Sequence, residues 1–200
     1  MFCLCQIGFL RYVELCFSLK LSSTAWIYTK KENPVSKVFS MYDVLDVCRY
    51  IINYSNEKEY GISNLKLQKI LYFVQAYYLC FSHSKGRCFR EDIVAWEIGP
   101  VVPKAYCEYS GYGCGNIPEI HSYFVYGTSL WNTVRVPYSS EMIHKGDKAA
   151  IRSVIDKFAD YSSVDLMQLT QDQSPWMVAY QQGIGTVILD QCIREYFAQK

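Results

Sequence analysis

The stretch from Asn64 to Phe81 constrains this chain more than any other. Leu67, Ile70, Leu71, Val74, Tyr77, Tyr78 and Phe81 recur at three- and four-residue intervals and make one apolar stripe, while Leu65, Tyr72, Phe73, Ala76 and Leu79 cover most of the remaining circumference. A helix that is apolar on nearly every side is not stable on a surface and must be surrounded by its own domain. Ser63 stands where an N-cap is needed. Lys66 and Lys69 read as the polar edge of this helix. With 200 residues the chain is long enough for one core of ordinary size.

The flanking segments supply what would surround it. Val44, Leu45, Cys48, Ile51 and Ile52 form a one-sided helical stripe, ended by the polar run from Asn53 to Gly61. Ser82 to Arg90 reads as a connection. Val94, Trp96 and Ile98 alternate as in a brief strand, which Gly99-Pro100 is expected to stop. Pro103 suits the first turn of a helix running to about Tyr109, and Gly111 to Gly115 reads as a loop. Ile117 to Pro137 is ambiguous, with one strand expected around Tyr123 to Tyr126. Asp147 to Ala159 is helical, with Ala150, Ile151, Val154, Ile155 and Phe158 inward. Ser162 or Ser163 starts a short helix through Leu169. Ser174 caps another, with Pro175 at its first position, through Tyr180. Thr186 to Leu189 is an extended link, and Asp190 caps a last helix carrying Ile193, Tyr196 and Phe197. The fold class predicted is mainly α, an α+β arrangement with a minor, short β element: a compact single-domain helical fold around the central apolar helix.

Residues 1–40 differ from the rest. Their apolar run is interrupted by Arg11 and Glu14, which fits no targeting class, and Lys30 to Pro34 reads as a loop. A well-patterned helix follows Met41 at once. The expectation is an N-terminal extension over 1–40, with Met41 a candidate true initiator and a short docking helix at 7–19 the alternative, and a domain over 41–200. The whole chain has a formal charge of +1, from 20 basic and 19 acidic residues. The first forty residues hold five of the basic and two of the acidic ones, which leaves 41–200 slightly acidic. That balance lacks the field of a general nucleic-acid binder. Six of the nine cysteines fall after Met41, at 48, 80, 88, 107, 114 and 192, with no C-x-x-C among them. Scattered thiols of this kind point to a reducing, cytoplasmic setting and to packing as small apolar groups. No run is long and apolar enough to suggest a membrane span.

Catalytic patterns are missing from the sequence. It holds no H-E-x-x-H, Walker loop or nucleophile elbow. The alternate glycines of Gly111 to Gly115 have no helix behind them to cradle a phosphate. Cys80, His83 and Cys88, with Cys107 or Cys114, lack the paired spacing of a metal site. The expectation is therefore no enzyme, no cofactor and no metal. Tyrosine is in excess, at 18. Tyr72, Tyr77 and Tyr78 fit the core, whereas Tyr106, Tyr109 and Tyr112 gather around the glycine loop, where amphipathic aromatics suit protein recognition.

Three landmarks then resemble a known family. Asn64-Leu65-Lys66-Leu67-Gln68-Lys69-Ile70-Leu71-Tyr72-Phe73-Val74-Gln75 is similar to the signature helix of the Panacea domain family, the SocA-like, phage-associated proteins. Ala95-Trp96-Glu97-Ile98-Gly99-Pro100-Val101-Val102-Pro103, followed by Tyr106, resembles its next landmark. Leu166, Leu169-Thr170 and Ser174-Pro175-Trp176, with Ile193 and Tyr196-Phe197, resemble its C-terminal half. Gln171 departs from the pattern, since the family often has histidine there; glutamine could keep a structural hydrogen bond. The resemblance implies an antitoxin, associated with prophages or mobile elements, that neutralises a cognate toxin from an adjacent gene by direct protein binding. Its alternatives are a proteolytic adaptor delivering the toxin to a cytosolic protease and a DNA-binding autoregulator, against which the near-neutral charge argues. The signature or partner-binding positions expected are Lys66, Gln68, Lys69, Trp96, Gly99, Pro100, Tyr106, Tyr109, Tyr112 and Trp176. For Trp96, Gly99, Pro100 and Trp176 two readings stand side by side: a turn with two buried indoles, or direct toxin contact.

Overall fold

The computed structural model describes residues 41–81, 86–127 and 132–199. The expectations for residues 1–40 and for His83 lie outside the described residues. Two compact units are present: a larger one formed by Ser40–Ser122 with Pro137–Lys200, and a smaller one that includes Tyr123–Val136. The fold is mainly α with minor β.

In the larger unit the helices are α1 (Val44–Glu57), α2 (Asn64–Cys80), α3 (Pro103–Glu108), α4 (Lys145–Lys157), α5 (Ser163–Gln171), α6 (Ser174–Gln182) and α7 (Asp190–Ala198). The expected central helix is α2. Ser63 Oγ accepts from the Lys66 N–H at 3.3 Å, and every residue from Lys66 to Ala76 is buried. α4, α5, α7 and a short hairpin surround it. Phe73 stacks on Phe158, the C-cap of α4, at 4.2 Å and meets Phe197 of α7 edge-on at 6.5 Å, so the aromatic payload of α2 is shared by both neighbours. None of the helices among the described residues is long and apolar enough to cross a membrane.

Helix ends follow local chemistry with small corrections. Ser162 caps α5, and Asp165 returns a bond to the Ser162 N–H, completing a capping box. Ser174 and Asp190 are not caps but first-turn residues; Gln173 and Leu189 occupy the cap positions. Gln173 is diverted because its side-chain oxygen accepts from Tyr72 OH at 2.8 Å. At α1, Asp43 accepts from Leu45 N–H at 2.9 Å and Glu91 from Val44 N–H at 3.0 Å, two anions on one helix N-terminus. Lys104 bridges both, at 2.6 and 2.7 Å. Burial raises the Asp43 carboxyl, yet the bonds from Lys104 and Leu45 prevail and hold it below the ordinary range.

Gly99-Pro100 does not end the strand as the sequence suggests; it continues into a second one. β1 (Val94–Trp96) pairs antiparallel with β2 (Gly99–Val101), with Trp96 opposite Gly99 and Ala95 opposite Pro100. In a two-residue hairpin the closing pair exchanges hydrogen bonds and the next pair does not, so Pro100 sits where its missing N–H costs nothing. Gly99 takes φ +92°, a conformation that favours glycine. The extended link also joins the sheet: Ala95 N–H donates to Thr186 O and Ile188 N–H to Ile93 O, each at 2.8 Å.

The described part of the smaller unit is a two-stranded sheet of β3 (Ser122–Val125) and β4 (Val134–Pro137). The sequence predicts only the first of these; Val134 to Pro137 alternates over too few residues and ends in a proline, so its strand character comes from its partner. Cys48, Cys80, Cys88 and Cys192 carry free thiols, whereas Cys107 is disulfide-bonded, which corrects the expectation that it is a dispersed thiol. Cys107 lies half-buried on α3 rather than in the core, where a thiol would be shut off from a partner.

Candidate functional site

The signature residues converge on one feature, the β1–β2 hairpin and the face of α2 beneath it. Asn64, Gln68, Tyr72 and Gln75 follow one another at intervals of four, four and three, a polar stripe along a buried helix, with Lys69 beside it. Tyr72 donates to the Gln173 side chain, and the others grip backbone that has no regular partner. Asn64 Nδ2 donates to Tyr106 O at 2.9 Å and its Oδ1 accepts from Gln68 Nε2 at 3.0 Å; Gln68 Oε1 in turn accepts from Val102 N–H at 3.0 Å. Gln75 Oε1 accepts from Cys88 N–H at 3.0 Å and Phe89 N–H at 3.3 Å. Thus α2 supplies, through side chains, the hydrogen bonds that the short loops on either side of the hairpin cannot make for themselves. The signal in the sequence is that stripe itself: amide side chains at helical spacing on an otherwise apolar helix.

Lys66 and Lys69 are not the solvated edge that their charge suggests. Both are buried. Lys66 Nζ donates to Ala159 O at 2.8 Å, just past the end of α4, where a cation complements unpaired carbonyls. Lys69 Nζ donates to Pro100 O at 2.8 Å, the carbonyl that the hairpin register turns outward. Burial with no acidic neighbour pushes the Lys69 amine far below the ordinary lysine range. A methyl group on Gly99 would lie 2.9 Å from Lys69 Nζ and 3.0 Å from Thr170 Oγ1. Glycine at this position is therefore required twice, by its backbone angle and by the close approach of the amine.

The hairpin is held from its other side by α5 and α6. Trp176 Nε1 donates to Trp96 O at 3.0 Å, and Gln171 Nε2 donates to Glu97 O at 2.6 Å. Gln171, the departure from the family pattern, thus fastens the hairpin turn. Trp96 meets Tyr106 edge-on at 5.1 Å, and Trp176 stacks on Tyr180 at 4.7 Å. Trp96, Tyr106 and Trp176 are half-buried, whereas Gly99 and Pro100 are buried. Of the other two tyrosines around the glycine loop, Tyr109 is 4% exposed and belongs to the core, and Tyr112 is 44% exposed on a short 3-10 turn, Ser110–Tyr112.

Many of the remaining tyrosines act as internal hydroxyl donors. Tyr42 and Tyr78 donate to Asp147 at 2.5 and 2.7 Å, and Tyr54 and Tyr60 donate to Asp156, so two acids on α4 collect phenols from α1, α2 and the loops beside them. Near them, a cleft of about 540 Å³ is lined by Tyr50, Tyr54, Glu57, Glu119, Tyr138 and Arg152. Arg152 Nε donates to Tyr50 OH at 2.6 Å and its guanidinium lies over the Tyr54 ring, 5.1 Å from the centroid. Glu57 and Glu119 oppose its charge, so the cleft selects no ion by sign. Among the described residues, no three His, Cys, Asp or Glu side chains are grouped as a metal would need.

The model of one protein family, described as Antitoxin SocA-like, Panacea domain, matches residues 67–177, more than half of the chain. That span runs from α2 through the hairpin to Trp176. No curated protein and no solved structure matches the chain.

Proposed function

Because this chain belongs to the family of SocA-like antitoxins with a Panacea domain, we propose that it neutralises a cognate protein toxin by direct contact in the cytosol, acting as a binder and not as a catalyst. The observation that carries this reading is the match over 67–177, which contains the hairpin and, apart from Asn64, the polar stripe that cradles it. The geometry supports a division of labour within the signature. Gln68, Lys69, Gly99, Pro100 and Tyr109 face inward and hold the fold, so a toxin would meet the positions that keep accessible surface: Trp96, Tyr106, Tyr112 and Trp176. Half-buried aromatics with one polar end suit such contacts.

Co-expression with the product of the adjacent gene tests the proposal. Rescue of growth together with co-purification of a stable complex supports it, and Tyr112→Ala is expected to weaken the complex at least about tenfold, as loss of an exposed aromatic anchor does. Undiminished toxicity with no complex overturns it. If growth is rescued while toxin lifetime falls and no complex accumulates, the protein is an adaptor for a cytosolic protease instead.

A further inference from the structure

The face around the hairpin turn carries one sign of charge. Residues 91–119, which build the hairpin and α3, hold five acidic residues and one basic one, Lys104. Residues 158–193, which build α5 and α6 and reach into α7, hold four acidic residues and no lysine, arginine or histidine. Lys104 is engaged elsewhere, by Asp43 and Glu91 at the N-terminus of α1. Arg87 takes Asp92 and Asp190, at 2.8 and 2.7 Å. No such base reaches Glu97 in the hairpin turn or Asp172 at the C-cap of α5. Both are exposed, and neither has an ion-pair partner among the described residues. The last turn of α5 holds no base either, so Asp172 adds its charge to the negative pole of that helix.

The same place holds two half-buried indoles. Gln171, next to Asp172, donates to Glu97 O at 2.6 Å, and Trp176 Nε1 donates to Trp96 O, one residue before Glu97, at 3.0 Å. Two indoles and two carboxylates are thereby gathered where β1, α5 and α6 meet. That combination suits an ammonium or guanidinium group, which an indole face attracts while a carboxylate accepts its hydrogen bonds. An anion is repelled there, and an uncharged surface would cover the carboxylates without pairing them. Bases collect instead on α4, as Lys145, Lys148, Arg152 and Lys157, whereas its two acids, Asp147 and Asp156, are occupied by phenols. Charges sorted in this way orient a basic partner toward the hairpin.

We propose that this face docks a lysine- or arginine-rich segment of the toxin, its cationic side chains set against Trp96 and Trp176 and paired with Glu97 and Asp172. The inference rests on the antitoxin reading and deepens it, by naming the chemistry of the segment that the hairpin receives. Aromatic anchors supply the buried area of such a contact, and the two carboxylates select its sign.

Two titrations of the full chain test it. In the first, fluorescence anisotropy follows fluorescein-labelled octa-arginine, with octa-glutamate as its counterpart, at about 20 mM salt, where screening is weak. The wild type is expected to bind octa-arginine and not octa-glutamate. Glu97→Gln combined with Asp172→Asn keeps the shape of both exposed side chains and is expected to weaken octa-arginine at least about threefold. Glu57→Gln combined with Glu119→Gln, in the cleft beside α4, is expected to leave it nearly unchanged. Equal loss in the two pairs, or none in the first, overturns the proposal, since net charge alone then accounts for the binding. The second titration measures toxin affinity at about 50 and 300 mM salt. The wild-type complex is expected to weaken with salt, and the Glu97→Gln, Asp172→Asn variant to bind at least about threefold less tightly with a shallower salt dependence. A toxin complex that forms but responds to neither change overturns the docking surface and leaves the antitoxin reading standing. If no toxin complex forms while octa-arginine still binds through Glu97 and Asp172, the antitoxin reading falls and the site for a basic segment holds.

Discussion

At the scale of single residues, the tightest point of the structure is the meeting of Gly99, Lys69 and Thr170. Gly99→Ala places a methyl within 3.0 Å of two buried side chains and forces a side-chain-bearing residue to φ +92°. It is expected to destabilise the fold by about 2 kcal/mol or more, read as a lowered midpoint in urea with an unchanged slope. Lys69 makes a prediction with a sign. Its folded-state affinity for protons is held far below the ordinary value by burial, so unfolding takes up a proton wherever the pH lies between the depressed value and about 10.4. Stability must therefore rise with pH across that window, by up to about 1.4 kcal/mol per unit. Lys69→Met removes this contribution. Denaturant titrations of both proteins between about pH 7 and 10 check it through the difference of slopes, which are expected to be steeper for the wild type.

At the scale of elements, the hairpin is too short to be stable alone and owes its shape to side chains on α2, α5 and α6. Gln68→Leu deprives Val102 N–H and Asn64 Oδ1 of their partners in a buried setting and is expected to cost about 2–3 kcal/mol, more than the apolar gain offsets. Gln171 gives a finer test. Gln171→Ala loses the bond to Glu97 O and is expected to reduce stability by about 1 kcal/mol, whereas Gln171→His, which keeps a donor at that place, is expected to cost less than half of that. Thermal unfolding of the two variants side by side distinguishes a hydrogen bond to the turn from a residue with no structural role.

At the scale of the whole molecule, the phenols set the alkaline limit. Burial raises Tyr72, Tyr78 and Tyr109 well above the ordinary tyrosine range, so each contributes stability that is present below about pH 10 and is lost as the pH rises further and the unfolded chain ionises. The buried Cys48 and Cys88 thiols, raised by the same burial, act in the same sense from about pH 8.5 upward, so together these groups outweigh the opposite trend from Lys69 and stability is expected to decline steeply at alkaline pH, to be read from a chemical-denaturation series across about pH 7 to 12.

The apolar surround of α2, the helix boundaries marked by Ser63, Ser162 and Pro175, and the mainly α class were legible in the sequence, because periodicity and capping are local consequences of where apolar and small polar side chains fall. The fate of the buried polar groups was not. Lys69 meets Pro100 across 31 positions and Tyr72 meets Gln173 across 101. No local pattern distinguishes a lysine that reaches water from one that reaches a carbonyl of a distant turn. The second strand of the hairpin, the edge added by 185–188 and the inward turn of most signature residues belong to the same class. Only the tertiary structure decides them, since an unpaired backbone group must find its partner wherever the folded chain brings one within reach.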